Sequence, residues 1–252
     1  LFSATLTPLP YYREVLGGRE GDPLITLPSP FDEKRLLLAA HTGISTRYAD
    51  REASYTPVSQ ALYVAISHKK GNYMVFFPSY RYMEEVYGRF TAAYPEVDTR
   101  IQQGHMDEEE RFAFLSCFDA ENEQTLVGFC VLGGIFSEGI DLKGDRLIGS
   151  IVVGVGLPAV SLRQEEIRAY YNRVNGEGFA YAYMFPGINK VLQAAGRVIR
   201  TAEDTGLVLL IDSRFGTAAY RDLYPAHWSQ LQFIRRTDEL CRLLGAFPYF
   251  RE

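Results

Sequence analysis

The feature that most constrains this chain is a series of unbroken apolar runs of strand length, several of them leading into a segment with helical patterning. "GLVLLID" (206–212) is the plainest. Continuous apolarity over that length predicts a parallel strand covered on both faces. "KRLLLAAHT" reads as a buried strand, and "PVSQALYVAISHKK" as a helix opened by Pro57 and closed at Gly71. "NYMVFFP" is a strand, followed by "SYRYMEEVYGRFTAAY", a helix with Ser79 in the N-cap position. "MDEEERFAFLSCF" is a helix with acids in its first turn, where the macrodipole favours them. "QTLVGFCVLGG" and "RLIGSIVVGVG" are strands, "RQEEIRAYYNRV" a helix, and the tail "WSQLQFIRRTDELCRLLG" a helix packed on the outside. This alternation predicts an α/β fold with a mostly parallel central sheet and C-terminal helices.

At 252 residues the chain can bury a full core. Its apolar fraction of 47% and charged fraction of 23% are those of an ordinary globular protein. The net charge of −5 gives no bulk attraction to nucleic acid, so any such contact must come from local groups. Cys117, Cys130 and Cys241 form no CxxC pair, which fits a reducing cytoplasm and argues against a disulfide framework or a zinc site. No secretory signal is visible, and the most apolar long segment, "LIGSIVVGVGLPAV", is too short to span a bilayer. A cytoplasmic protein is expected. The opening "LFSATLTPLP" lacks an initiator Met and starts as if inside a strand, so a fragment of a longer protein is expected.

Ligands in such folds bind at strand ends. Four stretches fall there. In "FSATLTP", Ser3, Thr5 and Thr7 are small hydroxylated residues ending at Pro8. In "VFFPSYRYMEEV", Ser79 at a helix N-terminus is placed to meet a phosphate oxygen or simply to cap, and Tyr80 and Arg81 to touch nucleic acid or cover the surface. In "VLGGIFSEGIDLKGD", Gly133 and Gly134 remove side chains where a backbone can meet a phosphate. Glu138 and Asp141 flank Gly139, too few oxygens for a hard cation, and suit orienting arginines or accepting a ribose hydroxyl. The alternative is a glycine-rich turn with solvated acids. In "QAAGRVIRTAEDTGLVLLIDSRF", Gln193, Arg197 and Arg200 are spaced i, i+4, i+7 on one helical face, opposite Val191, Leu192, Ala195, Val198 and Ile199. Two guanidiniums there form either a phosphate clamp or a solvated basic face paired with Glu203 and Asp204. Tyr55, Tyr63, Tyr80, Tyr82 and Tyr87 serve as base-stacking platforms or, at helical spacing, as packing residues.

In this order the four stretches resemble the second motor domain of superfamily 2 helicases, in the DinG/XPD branch. "SAT-L-P" is similar to motif III, "FFPSY" to motif IV, "GGIFSEGIDLKG" to motif V and "QAAGRVIR" to motif VI, with "DSRF" beyond. The resemblance implies a RecA-like domain over 11–252, with residues 1–10 the last trace of a first motor domain. It implies the C-terminal half of an ATP-dependent DNA helicase moving 5′ to 3′ on single-stranded or forked DNA, with DNA repair and a bacterial nucleoid as its setting. Arg197 and Arg200 would be arginine fingers and Gln193 a γ-phosphate sensor. Glu138, Gly139 and Asp141 would link nucleotide to motif VI. Ser79, Tyr80, Arg81, Gly133 and Gly134 would hold the DNA backbone, and Ser3 and Thr5 would couple the domains. ATP and Mg2+ would be shared with the N-terminal motor domain, because no GxxxxGK[ST] occurs here and "DEEER" sits on a helix; the fragment alone should be inert. The family's iron–sulfur cluster needs four cysteines of that other domain, and none of the three here matches it. An RNA-directed motor of the same superfamily and a non-catalytic helicase-like interaction domain are the alternatives.

Overall fold

The computed structural model describes residues 2–3, 5–137 and 141–250. Seven strands form one sheet: β1 (Leu36–His41), β2 (Asn72–Phe77), β3 (Asp98–Ile101), β4 (Leu126–Val131), β5 (Gly149–Val153), β6 (Gly206–Ile211) and β7 (Gln232–Ile234). Their order is β3-β4-β2-β5-β6-β1-β7, and every pairing is parallel. The helices are α1 (Leu9–Val15), α2 (Arg51–Ile66), α3 (Tyr80–Ala93), α4 (Glu108–Ser116), α5 (Leu162–Val174), α6 (Phe185–Ala195), α7 (Ala218–Arg221) and α8 (Thr237–Ala246). A short π-helix, Ala180–Met184, leads into α6. The fold is RecA-like: a parallel sheet between two helical layers.

Strand alternation divides each apolar run between the two faces. Val75, Phe77, Leu209 and Ile211 point into one core with Val58, Leu62, Val86, Phe90, Leu240 and Leu244. Phe76, Val152 and Leu210 point into the other with Ile188, Val191, Leu192, Phe215 and Trp228. Each such side chain contributes about 1.5–3 kcal/mol of burial, and every position of β2 and β6 is buried. The tyrosines belong to this packing. Tyr82 and Tyr55 are buried and meet edge to face, Tyr63 stacks on Tyr94 at 3.9 Å, and Tyr87 packs on Phe129. Four of the five are therefore core and layer residues rather than base platforms.

Three expectations about the elements need correction, and one strand went unread. Helix α2 begins at Arg51, so Pro57 lies inside it rather than at its start. Proline there removes one intrahelical bond. The preceding turns are still held, because Tyr55 is buried and Ser54 bonds Arg51 O and the Tyr82 hydroxyl. Residues 232–234 form strand β7, not helix: their backbone pairs with β1, and Thr42 N donates to Ile234 O at 2.7 Å. Strand β3, at the opposite edge, carries too little apolar pattern to be read beforehand. Most important for function, helix α6 stops at Ala195. Arg197 lies in the turn after it and Arg200 in chain without regular secondary structure.

The chain turns there because it must re-enter the sheet at Gly206. A Cβ at Gly206 would lie 2.2 Å from Val198 Cγ1 and 2.5 Å from Ile148 O. No side chain fits between the strand and the segment carrying the arginines. Gly206→Ala is accordingly expected to lower stability by about 1–3 kcal/mol through overpacking, read as a lower urea midpoint at unchanged m-value.

Candidate active site

All strands point the same way, so the loops after β1, β2, β4, β5 and β6 share one edge. After β2, Ser79 takes an extended conformation and its hydroxyl accepts from Tyr82 N at 3.3 Å, so it caps α3. Tyr80 follows, half-buried, and Arg81 is exposed. After β4 the chain turns through Gly133 at φ +75°, a conformation that side-chain-bearing residues rarely adopt. Gly133 N donates to Ser137 Oγ at 2.7 Å and Gly134 N to Val131 O at 3.0 Å. The two glycines thus shape the loop while their own N–H groups are spent within it. What reaches the loop from outside is Lys190 on α6, whose Nζ lies 3.2 Å from where a Gly133 Cβ would stand. Its spacing three residues before Gln193 was the only sequence signal for it.

The arginine segment comes to this loop. Arg197 Nη2 donates to Ser137 O at 2.5 Å, joining two stretches 60 residues apart. Arg200 is held through its backbone: its N–H and that of Thr201 donate to Asp204 Oδ2 at 2.7 and 2.8 Å, and Thr201 Oγ1 donates to Asp204 Oδ1. Burial pushes the Asp204 carboxyl up, but the Thr201 hydroxyl and these backbone N–H groups outweigh it and hold it below its ordinary value. Asp204 is therefore the brace of the arginine loop rather than a carboxylate on a helical face. Gln193 remains on α6, half-buried, one turn before the loop. Asp141 is exposed and pairs with Lys143 at 3.1 Å; Glu138 and Gly139 lie outside the described residues. No group of three or more His, Cys, Asp or Glu side chains able to hold a metal occurs among the described residues.

Residues 62–231, from α2 to just before β7, match the family model for the helicase C-terminal domain. The chain belongs to that family. Its relatives are of DinG/XPD type. It is 30% identical over 153 residues to the ATP-dependent DNA helicase XPD of Sulfolobus acidocaldarius, covering 58% of this chain and 25% of that protein. It is 34% identical over 88 residues to the ATP-dependent DNA helicase DinG of Photobacterium profundum, covering 34% and 13%. With a probable ATP-dependent helicase of Methanocaldococcus jannaschii it shares 25% identity over 203 residues, covering 76% and 31%. The chain thus spans less than a third of the length of these relatives. A solved XPD helicase has the same fold over 92% of this chain and 42% of that one, with a TM-score of 0.69 at 21% identity.

Two parts of this helicase C-terminal domain lie outside the matched span. Ser3 and Thr5 bond each other at the exposed start, Thr5 N donating to Ser3 Oγ at 3.3 Å, well apart from the arginines in sequence. What ties that segment down is Thr7. The Asn189 side chain on α6 donates to Thr7 O at 2.5 Å and accepts from Thr7 N at 3.4 Å. Nearby, Tyr181 of the π-helix bonds Glu14 of α1. The second part is the loop after β1. Thr46 N and Oγ1 both donate to Asp212 Oδ2, and Arg214 bonds both Asp212 oxygens through Nε and Nη2 at 2.8 and 2.9 Å. The Asp212 side chain is fully buried and Arg214 partly so. "DSRF" marked half of this cluster in the sequence; Thr46 had only its position after a strand.

Burial raises the Asp212 carboxyl, but the Arg214 guanidinium and Thr46 outweigh it and hold it below 3.8. A lowered carboxylate contributes stability that is present above its unfolded value and lost as pH falls through the folded one. Asp212→Asn should therefore cost about 3 kcal/mol near neutrality by leaving Arg214 without its ion pair. The gap between variant and wild type should close as pH falls below the ordinary value of 3.8. Urea denaturation across pH checks both.

Proposed function

We propose that this domain is the second motor domain of an ATP-dependent DNA helicase, binding and hydrolysing ATP in a cleft shared with an N-terminal motor domain and moving 5′ to 3′ on single-stranded DNA. The observation that carries the reading is the Arg197–Ser137 bond. It fastens the arginine loop to the glycine loop after β4 at the edge where parallel α/β folds bind ligands. In this reading Arg197 and Arg200 face the γ-phosphate and stabilise the charge that spreads over it as it transfers to water. Gln193, on the last full turn of α6, senses that phosphate. Glu138, Gly139 and Asp141 answer to the ribose and to the arginine loop. The P-loop lysine and the acids that hold Mg2+ come from the other motor domain, with residues 1–10 as the connection and Ser3 and Thr5 at its start. Residues 11–252 alone are expected to be inert as an ATPase.

DNA is taken by its phosphates, without base reading. Ser79 and the first turn of α3 offer a helix N-terminus, Arg81 an exposed guanidinium, and Lys190 an ammonium above Gly133. Tyr80 and the Gly133–Gly134 turn shape the path between them. Local cations and backbone groups of this kind suit a chain whose net charge is −5.

The test is the ATPase rate of the full-length protein, with and without single-stranded DNA or RNA, beside Arg197→Ala and Arg200→Ala. DNA should stimulate the wild type more than RNA does, and each variant should lose about 10³-fold in turnover while still binding ATP. Normal hydrolysis by both variants would remove the arginines from the chemistry. Equal stimulation by RNA would make this an RNA-directed motor. Lys190→Ala should weaken binding to single strands and reduce the slope of log K against log salt by about 0.7.

A further inference from the structure

Gln102, the residue after β3, is 2% exposed and belongs to none of the four motif-like stretches. Its side-chain amide is used at both ends. Nε2 donates to the Tyr80 hydroxyl at 2.9 Å, and Oε1 accepts from Val131 N at 2.9 Å. Its own N–H donates to Phe129 O at 2.8 Å, which fixes it to the end of β4. Gly134 presses on the same amide: a Cβ there would lie 3.1 Å from Gln102 Nε2 and 3.0 Å from Val131 O. From Val131 the bonding continues. Ser137 Oγ donates to Val131 O at 3.1 Å, and Ser137 O accepts from Arg197 at 2.5 Å.

One run of contacts therefore leads from the first residue of α3 to the arginine loop, and Gln102 is the side chain that carries it from Tyr80 to Val131. The cleft beside it, about 460 Å3, has Tyr80, Gln102 and Ile135 in its lining together with the charged Asp107, Glu110 and Arg111. A buried amide has no water to fall back on, so a shift of Tyr80 or of the β4 loop must be followed by the other or cost a hydrogen bond.

We propose that Gln102 is the positioning residue that makes ATP hydrolysis respond to nucleic acid, by holding Tyr80 and the glycine loop in the one arrangement that sets Arg197. This rests on the motor reading above. Gln102 itself touches neither ATP nor DNA; it acts through Tyr80 and Val131.

The experiment compares full-length wild type, Gln102→Ala, Gln102→Glu and Tyr80→Phe, measuring DNA-free turnover, turnover at saturating single-stranded DNA, and the DNA concentration for half-stimulation. Gln102→Ala should keep its DNA-free rate within about twofold while its stimulated rate falls about tenfold, the worth of one to two buried hydrogen bonds. The half-stimulating DNA concentration should move little. Gln102→Glu, held protonated by its burial, should recover the stimulated rate, because the neutral acid donates to the Tyr80 oxygen and accepts from Val131 N as the amide does. If Gln102→Ala does not fold, Tyr80→Phe decides, since it removes only the hydroxyl and should show the same loss at saturating DNA. Wild-type stimulation in these variants, or a loss that excess DNA restores, overturns the proposal. A wild type that DNA does not stimulate overturns instead the motor reading on which it stands.

Discussion

The structure depends on a sheet in which every strand runs the same way. Parallel strands cannot be joined by tight hairpins, so each connection must cross a face of the sheet, most of them as helix. That one constraint buries both faces, buries β2 and β6 at every position, and leaves strand ends as the places where polar side chains can gather. Ser79, the Gly133–Gly134 turn, Thr46 and Asp212 stand on one edge for this reason. None of them needed to be near another in sequence.

Polar groups at that edge hold one another. Asp212 binds Arg214 and Thr46, and Ser137 joins Gly133, Val131 and Arg197, while at the opposite edge, just before β6, Asp204 braces the loop of Arg200. A guanidinium that must meet developing charge gains from being positioned before the charge appears. Here the positioning comes from carbonyls and carboxylates at strand ends, which are rigid because the strands beneath them are.

Much of this was legible in the residues. Continuous apolar runs reported β1, β2, β4, β5 and β6; Ser79 reported the start of α3 and the run of acids the first turn of α4. The four motif-like stretches reported the family. The shape of the arginine segment was not legible. Helical spacing put Gln193, Arg197 and Arg200 on one face, but the helix ends at Gly196, and Asp204 holds the chain beyond it through the N–H groups of Arg200 and Thr201, which no periodicity reports. Pro57 misled in the opposite sense, because buried Tyr55 and the bonded Ser54 keep a helix going through it. β3 and β7 are edge strands, four and three residues long, identified by their partners rather than by their own composition. Gln102 and Asn189 were silent for a related reason: an amide in sequence does not say which two backbones it will bridge.

The Asn189 amide has a mechanical consequence. It grips the N–H and the C=O of Thr7 together, so the strap over residues 5–8 cannot slide along α6 without breaking both bonds at once. A pull entering through the strap is applied to the helix one turn before Gln193, close to where α6 gives way to the arginine loop.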